Sequence, residues 1–255
     1  MRFKSTSSNL SYFYFPSLFE YDKLFHAVFS RKGGFSAPPF DNLNTSFQSE
    51  DNPVNVRKNL RLIQEVTNAE NLVFNNQVHG DNVTILRNED NPDLKTVRDA
   101  DAIITDIADI AIMVKQADCQ GVILFDSMKS VVGIIHCGWR GNVINILGTV
   151  VDLMKHEFDC RESDISAGIG PSLGPCCGEF KTYREIFPAW FTKYMNKENY
   201  FDLWEISIKQ LIEVGIYREK IEVAGICTRC NTDIFYSHRA EGTTGRFATV
   251  AMLRE

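Results

Sequence analysis

Apolar residues along this chain fall into short runs rather than long ones. β-Branched and aromatic side chains crowd residues 24–30, 82–87, 101–105, 111–115, 121–126 and 131–136. They do so again at 166–169, 221–226, 233–237 and 247–253. Each run is bounded by turn formers, which is the pattern of strands within a sheet. Other segments carry a helical period. Asn52 precedes Pro53, and a proline at the first helical position loses no needed N–H. Val56, Leu60 and Ile63 then share one face. After a glycine turn at 138–141, Ile144, Leu147, Val151 and Met154 repeat at helical spacing. Asp202 with Glu205 has the pattern of a capping box, and Gly215 is placed to stop that helix. A fourth helix is expected between Lys181 and Asn196, kinked or ended early at Pro188. Several strands are separated by only a turn, so a pure βαβ chain does not fit. The pattern predicts an α/β (α+β) fold with mixed β-sheets packed between outer helices, in one domain over residues 1–255.

Composition narrows the classes. The chain has 255 residues, 44% hydrophobic and 24% charged, with a net charge of −6. An acidic chain of this size is a poor fit to nucleic-acid binding through a broad basic surface. No apolar run approaches the roughly 20 residues of a membrane span, and the first residues lack the apolar stretch of an export signal. Seven cysteines, an odd number, then point to a reduced, cytoplasmic setting without a disulfide framework. No long heptad run points to a coiled-coil assembly. Histidine is scarce, with His26, His79, His136, His156 and His238 only, which limits the metal sites that can be built.

Three residues at strand–loop junctions form the first chemical candidate. His79 lies in Asn76-Gln77-Val78-His79-Gly80-Asp81, Cys119 in Ala117-Asp118-Cys119-Gln120-Gly121, and His136 ends the run before Cys137-Gly138-Trp139-Arg140-Gly141. Two imidazoles and a thiolate make a three-ligand zinc set with an open fourth position. Residue types alone favour the plainer reading of one buried thiol and two structural imidazoles, because a free cysteine is usually core. The glycine turn carrying Arg140 into a helix could hold an anion on backbone N–H groups and a guanidinium, or be a plain tight turn. The stretch Arg31-Lys32-Gly33-Gly34 and the polar loop from Ser237 to Arg246 invite the same two readings. Cys227-Thr228-Arg229-Cys230 has C-x-x-C spacing, but a zinc ribbon needs a second such pair and none exists. With the vicinal Cys176-Cys177 it reads as structural or incidental, a redox role being the lesser alternative.

Taken together and in order, QVHG, ADC, HCGWRG, GIGP and CT…FYSHR…TGR resemble the YfiH-type laccase-domain family. Members have been called polyphenol oxidases, purine nucleoside phosphorylases and peptidoglycan editing factors. The resemblance runs from about Phe25 to the C-terminus. It implies a metal site at His79, Cys119 and His136. It puts Arg140, Arg31, Asn44, Arg239 and Arg246 at matched positions, and we count Gln77 of QVHG with the substrate-side residues. It also implies a mixed α/β fold akin to the catalytic domain of a bacterial cytotoxic deamidase. Three positions depart from the pattern: Cys137 for alanine, Gln120-Gly121 for a proline-containing pair, and Ala240 for a second arginine. Cys137 would add a thiol beside the site.

The resemblance implies zinc-dependent phosphorolysis of adenosine, inosine or methylthioadenosine, with adenosine deamination as an added activity. A purine nucleoside and phosphate would be the partners. Cys119, His136, Asp118 and Arg140 would form the catalytic set, with Asp118 a general base or a partner of a ligand. Two alternatives carry different chemistry. Copper-dependent phenol oxidation suits a His/His/Cys set, but oxygen reduction at several coppers needs more imidazoles than five. A cell-wall amide hydrolase would use Cys119 as nucleophile and His79 or His136 as base. A small interaction domain with structural zinc is the non-enzymatic reading, and an open coordination position argues against it.

Overall fold

A computed structural model describes residues 1–6, 10–88, 94 and 96–255. Two six-stranded mixed sheets lie face to face. The first runs β1 (Arg2–Ser5), β2 (Ser11–Tyr14), β3 (Leu24–Phe29), β14 (Phe247–Leu253), β7 (Ile110–Gln116) and β4 (Asn71–Phe74). The second runs β13 (Ile221–Val223), β10 (Ile165–Ile169), β8 (Gln120–Asp126), β9 (Val131–Cys137), β6 (Ala102–Thr105) and β5 (Val83–Leu86). Helices α1 (Pro16–Phe19) and α2 (Pro53–Thr67) precede the centre of the chain, and α3 (Trp139–Ile144) and α4 (Ile146–Phe158) follow β9. The last three are α5 (Tyr183–Ile186), α6 (Leu203–Glu213) and α7 (His238–Glu241).

Alternation along the strands sorts the core into three layers. Ile112 and Val114 of β7 point inward and meet Ile123 and Phe125 of β8 and Ile134 of β9 between the sheets. Ala111 and Met113 point outward onto Val56, Leu60 and Ile63 of α2. On the far side, Val122 and Leu124 of β8 pack against Leu147, Val151 and Met154 of α4 and Leu211 of α6. Both faces of each central strand are therefore covered, which explains why β7, β8, β9 and β14 are buried along their whole length and read as continuous apolar runs. The architecture is the mixed α/β sandwich that the sequence predicts. Among the described residues no helix is long and apolar enough to cross a membrane.

Four local expectations need correction. The apolar run at 233–237 is not a strand. Its N–H groups turn back on the preceding loop, Ile234 and Phe235 both donating to the Asn231 carbonyl, while Phe235 and Tyr236 plug the core. The helix after the glycine turn breaks at Asn145, whose φ of 58° caps α3 and starts α4, so Ile144 falls on the exposed side. Only the turn of α5 and a 3₁₀ segment (Ala189–Tyr194) replace the fourth helix, because Pro188 separates them. The strand expected at 221–226 stops at Val223. Strands β1, β2 and β4 and the small hairpin β11 (Met195–Lys197) with β12 (Tyr200–Phe201) were not foreseen.

Candidate metal centre and its cavity

The site forms where β7 ends, β8 begins and β9 ends. β8 and β9 pair antiparallel with Gly121 opposite His136, which sets Cys119, one residue before β8, beside that imidazole. The loop after β4 brings in His79, held with φ 59°. Donor atoms of His79, Cys119 and His136 lie within 4.8 Å of one another. Cys119 Sγ is 3.9 Å from His79 Nε2, and the two imidazoles meet edge to face at 4.8 Å between ring centres. Gly138 leaves the room: a Cβ there would stand 2.7 Å from Cys119 Sγ.

Asp101, one residue before β6, organises the centre. It is buried, and one carboxylate oxygen lies 2.8 Å from His136 Nδ1. The same carboxylate accepts the N–H groups of Val78, His79 and Gly80 at 3.1, 3.0 and 2.8 Å. One side chain thus fixes both the imidazole orientation and the loop that carries the other histidine. His136 is left with Nε2 free to face the thiol. In the sequence Asp101 reads only as a strand boundary. An acid leading the apolar run Ala102-Ile103-Ile104 is the signal, since a buried carboxylate needs partners.

Burial alone would push the Cys119 thiol up, but His136 and His79 outweigh it and bring the pKa down to about 6. Burial would lower His136, but the Cys119 thiolate and Asp101 together raise it to about 9. Without metal the two form a thiolate–imidazolium pair. A soft or borderline cation that replaces the shared proton finds two nitrogens and one sulfur already converging, with the orienting carboxylate behind one of them. The donor set fits a zinc- or copper-class ion.

A cavity of about 400 Å³ opens in front of this set, lined also by Arg140, Arg239, Arg246, Lys115 and Phe180. Arg140 stacks on Trp139 at 4.2 Å and Arg239 lies 5.3 Å from the Phe180 ring centre. Arg246 spends Nη1 on the carbonyls of Thr244 and Gly245. Burial lowers the Lys115 pKa to about 8, and its Nζ donates to the Asn75 carbonyl at 3.1 Å. In the sequence Lys115 reads only as the end of a strand.

The other expected site residues are placed differently. Gln77 lines the cavity, but its amide brackets the Lys115 backbone, donating to the carbonyl at 2.7 Å and accepting the N–H at 2.8 Å. Asp118 also lines it, and its carboxylate accepts from Thr228 Oγ1, Ser237 Oγ and the Arg239 N–H. Arg31 and Asn44 do not line the cavity. Arg31 is paired with Glu241 at 2.7 Å and stacked on Tyr236. Buried Asn44 accepts the Arg246 N–H and donates to Ser49 and Asp51, so it holds the segment that carries Arg246. Cys137 is counted in the cavity lining, but its buried side chain packs in the core with α4, and burial, then the neighbouring Cys119, raises its thiol pKa.

Fold and site define a class: layered α/β proteins with a His–Cys–His donor set at the mouth of an arginine-lined cavity. The chain belongs to the family described as multi-copper polyphenol oxidoreductase laccase, which matches residues 25–254. It is 28% identical to a purine nucleoside phosphorylase of Bacteroides thetaiotaomicron, covering 94% of this chain and 96% of that one. It is 30% identical to purine nucleoside phosphorylase YlmD of Bacillus subtilis, over 89% of this chain and 87% of the relative. The crystal structure of the Bacillus licheniformis hypothetical protein YfiH superposes with a TM-score of 0.87 at 27% identity, covering 99% of both chains.

Proposed function

We propose that this chain is a metal-dependent purine nucleoside phosphorylase, cleaving adenosine, inosine or methylthioadenosine with phosphate and deaminating adenosine in the same cavity. The observation that carries the reading is the pairing of the His79/Cys119/His136 donor set with Arg140, Arg239 and Arg246 around one cavity. Relatives named purine nucleoside phosphorylases support it.

His79, Cys119 and His136 would hold zinc, which when bound supplies Lewis acidity toward a substrate oxygen or water. The chain's own residues do the rest. Asp101 keeps the His136 Nδ1 engaged and its Nε2 directed at the centre. The three guanidiniums supply charge and forked donors for phosphate next to the ribose. Phe180 offers an apolar wall for the base. With three donors on its carboxylate, Asp118 positions the 237–239 segment and so the Arg239 backbone. Oxygen reduction at several coppers finds little support: of the three remaining histidines His238 alone lines the cavity, while His26 is buried within β3 and His156 lies on α4.

A specific observation favours one second reading. The Cys119 thiolate paired with protonated His136 is also the resting state of a cysteine hydrolase, in which the metal-free chain would open an amide. Metal-quantified protein incubated with adenosine and inosine, with and without phosphate, separates the two. Phosphate-dependent release of adenine or hypoxanthine is expected. No turnover from fully metal-loaded protein overturns the phosphorylase reading. Turnover of an amide by metal-free protein, blocked by alkylation of Cys119, would favour the hydrolase.

A further inference from the structure

A second donor cluster lies outside the cavity. The C-x-x-C pair and the vicinal pair, which sequence reasoning left apart, come together in space. The four sulfurs of Cys176, Cys177, Cys227 and Cys230 all lie within 4.8 Å of one another. Cys230 Sγ is 3.6 Å from Cys176 Sγ and 3.5 Å from Cys177 Sγ. All four are free thiols. A tetrahedral zinc with Zn–S bonds of about 2.3 Å sets its sulfurs roughly 3.8 Å apart. The cluster is within a few tenths of an ångström of that spacing at the two edges that meet at Cys230.

Each pair sits in a tight turn, and the turns are joined. Cys177 N–H donates to the Gly174 carbonyl at 2.9 Å, and Asn231 N–H to the Thr228 carbonyl at 3.1 Å. Ser172 and Cys227 form a parallel bridge between the two segments. Gly174 allows the close approach, since a Cβ there would meet Cys227 Cβ at 2.9 Å and the Trp204 ring at 2.8 Å. Arg229 adds a cation, its Nη1 3.6 Å from Cys177 Sγ. Four thiolates around a divalent ion carry net negative charge, and a guanidinium at one sulfur offsets part of it.

We propose that Cys176, Cys177, Cys227 and Cys230 form a closed tetrathiolate site for structural zinc, separate from the His79/Cys119/His136 centre. On binding, the thiols lose their protons to solvent and four Zn–S bonds form, with no change of oxidation state. The ion staples the 172–177 segment to the 227–230 turn. Both segments reach the cavity: Ser172 and Leu173 line it, and Thr228 donates to Asp118. The staple therefore fixes one wall of the cavity while remaining outside it.

The test is metal stoichiometry with the two sites knocked out separately. Reduced full-length chain loaded with zinc and desalted should carry two equivalents. Cys227→Ser/Cys230→Ser and His79→Ala/His136→Ala should each carry one. X-ray absorption of zinc in the His79→Ala/His136→Ala protein should show four sulfurs at about 2.3 Å and no nitrogen. In case the serine variant fails to fold, the unmutated chain supplies an independent readout. Exposed Cys176 and Cys230 should resist iodoacetamide while zinc is bound and react at least tenfold faster after chelation. One equivalent in the unmutated chain, with both thiols alkylated equally fast with and without chelator, would overturn the proposal. So would a freshly reduced, zinc-loaded chain whose intact mass shows these cysteines re-paired as disulfides. These readouts are independent of nucleoside turnover.

Discussion

Two donor clusters share this molecule, and they are built on different supports. His136 belongs to a strand buried along its full length, Cys119 precedes another, and Asp101 ties His136 to the His79 loop. That cluster mixes nitrogen with sulfur, stops at three donors and opens on a cavity. The four-cysteine cluster sits on two turns, has donors of one kind and lies outside the lining of that cavity. Three donors beside open space leave a position for substrate; four donors close the shell. Donor number and the opening in front of it, rather than the presence of cysteine, distinguish a reactive centre from a structural one.

The comparison breaks most visibly at the first cluster. Cys119→Ala and His136→Ala should each bring phosphorolysis below detection and remove one metal equivalent, while leaving the thermal unfolding transition cooperative and the four-cysteine metal in place. Metal analysis beside a product assay checks both halves. Full activity in either variant with that metal lost would sink the metal mechanism.

A buried imidazole outside both clusters sharpens what Asp101 and Cys119 do for His136. His26 of β3 accepts the Phe15 N–H on Nε2, and its Nδ1 has no hydrogen-bond partner. Burial lowers its pKa to about 4, against 6.5 in the unfolded chain, and protonation at Nε2 would break the bond from Phe15. The unfolded chain therefore takes up this proton first. Stability is full above pH 6.5, falls as pH drops toward 4, and levels off below that. The loss attributable to His26 is about 3 kcal/mol. Urea unfolding at pH 7 and pH 4.5 should show it, and His26→Gln should flatten that part of the slope. An unchanged slope in the variant would assign the pH dependence elsewhere.

How much of this was legible varies with what carries the information. β7, β8, β9 and β14 were readable because burial on both faces makes them continuous apolar runs. α2 was readable because Asn52 and Pro53 mark its start, and Asn52 does accept the Val54 N–H. Residues 233–237 misled for the same reason: an apolar run reports burial, and here the burial is of a turn. His79, Cys119 and His136 were found through the order of their motifs, since no local spacing links them. Asp101 escaped because a single acid before a strand looks like a boundary. The four-cysteine cluster escaped because the parallel pairing of β10 with β13 decides their proximity, and neither pair encodes it.

Asp101→Asn tests the carboxylate's share of the difference with a smaller effect. The amide keeps the shape, but its NH₂ group cannot accept the backbone N–H groups that the second carboxylate oxygen now receives from Val78 and Gly80. His136 also loses its charged partner. Metal affinity at the His–Cys–His site, or activity, should fall 10- to 100-fold, roughly what the loss of an orienting partner behind a ligand costs. Zinc titration with a competing chelator measures it, and the four-cysteine site serves as the internal control. Equal weakening at both sites would mean a general loss of stability instead of a local effect on His136.

The smallest effect belongs to Arg229. Its guanidinium reaches Cys177 Sγ from a solvent-exposed position, where water and salt screen most of the attraction. Arg229→Gln should therefore speed zinc loss from the four-cysteine site by no more than about fivefold, and less as salt is raised. Chelator-driven release followed with a chromogenic dye resolves a change of that size, because the slower and faster sites can be assigned from the two knock-out variants. The nucleoside reaction should be unchanged, since Arg229 is absent from the cavity lining. A drop in phosphorolysis that tracks the faster release would mean that the staple moves the Ser172–Leu173 wall on the timescale of turnover. The two clusters would then be coupled, and the division between a reactive and a structural site would have to be drawn less sharply.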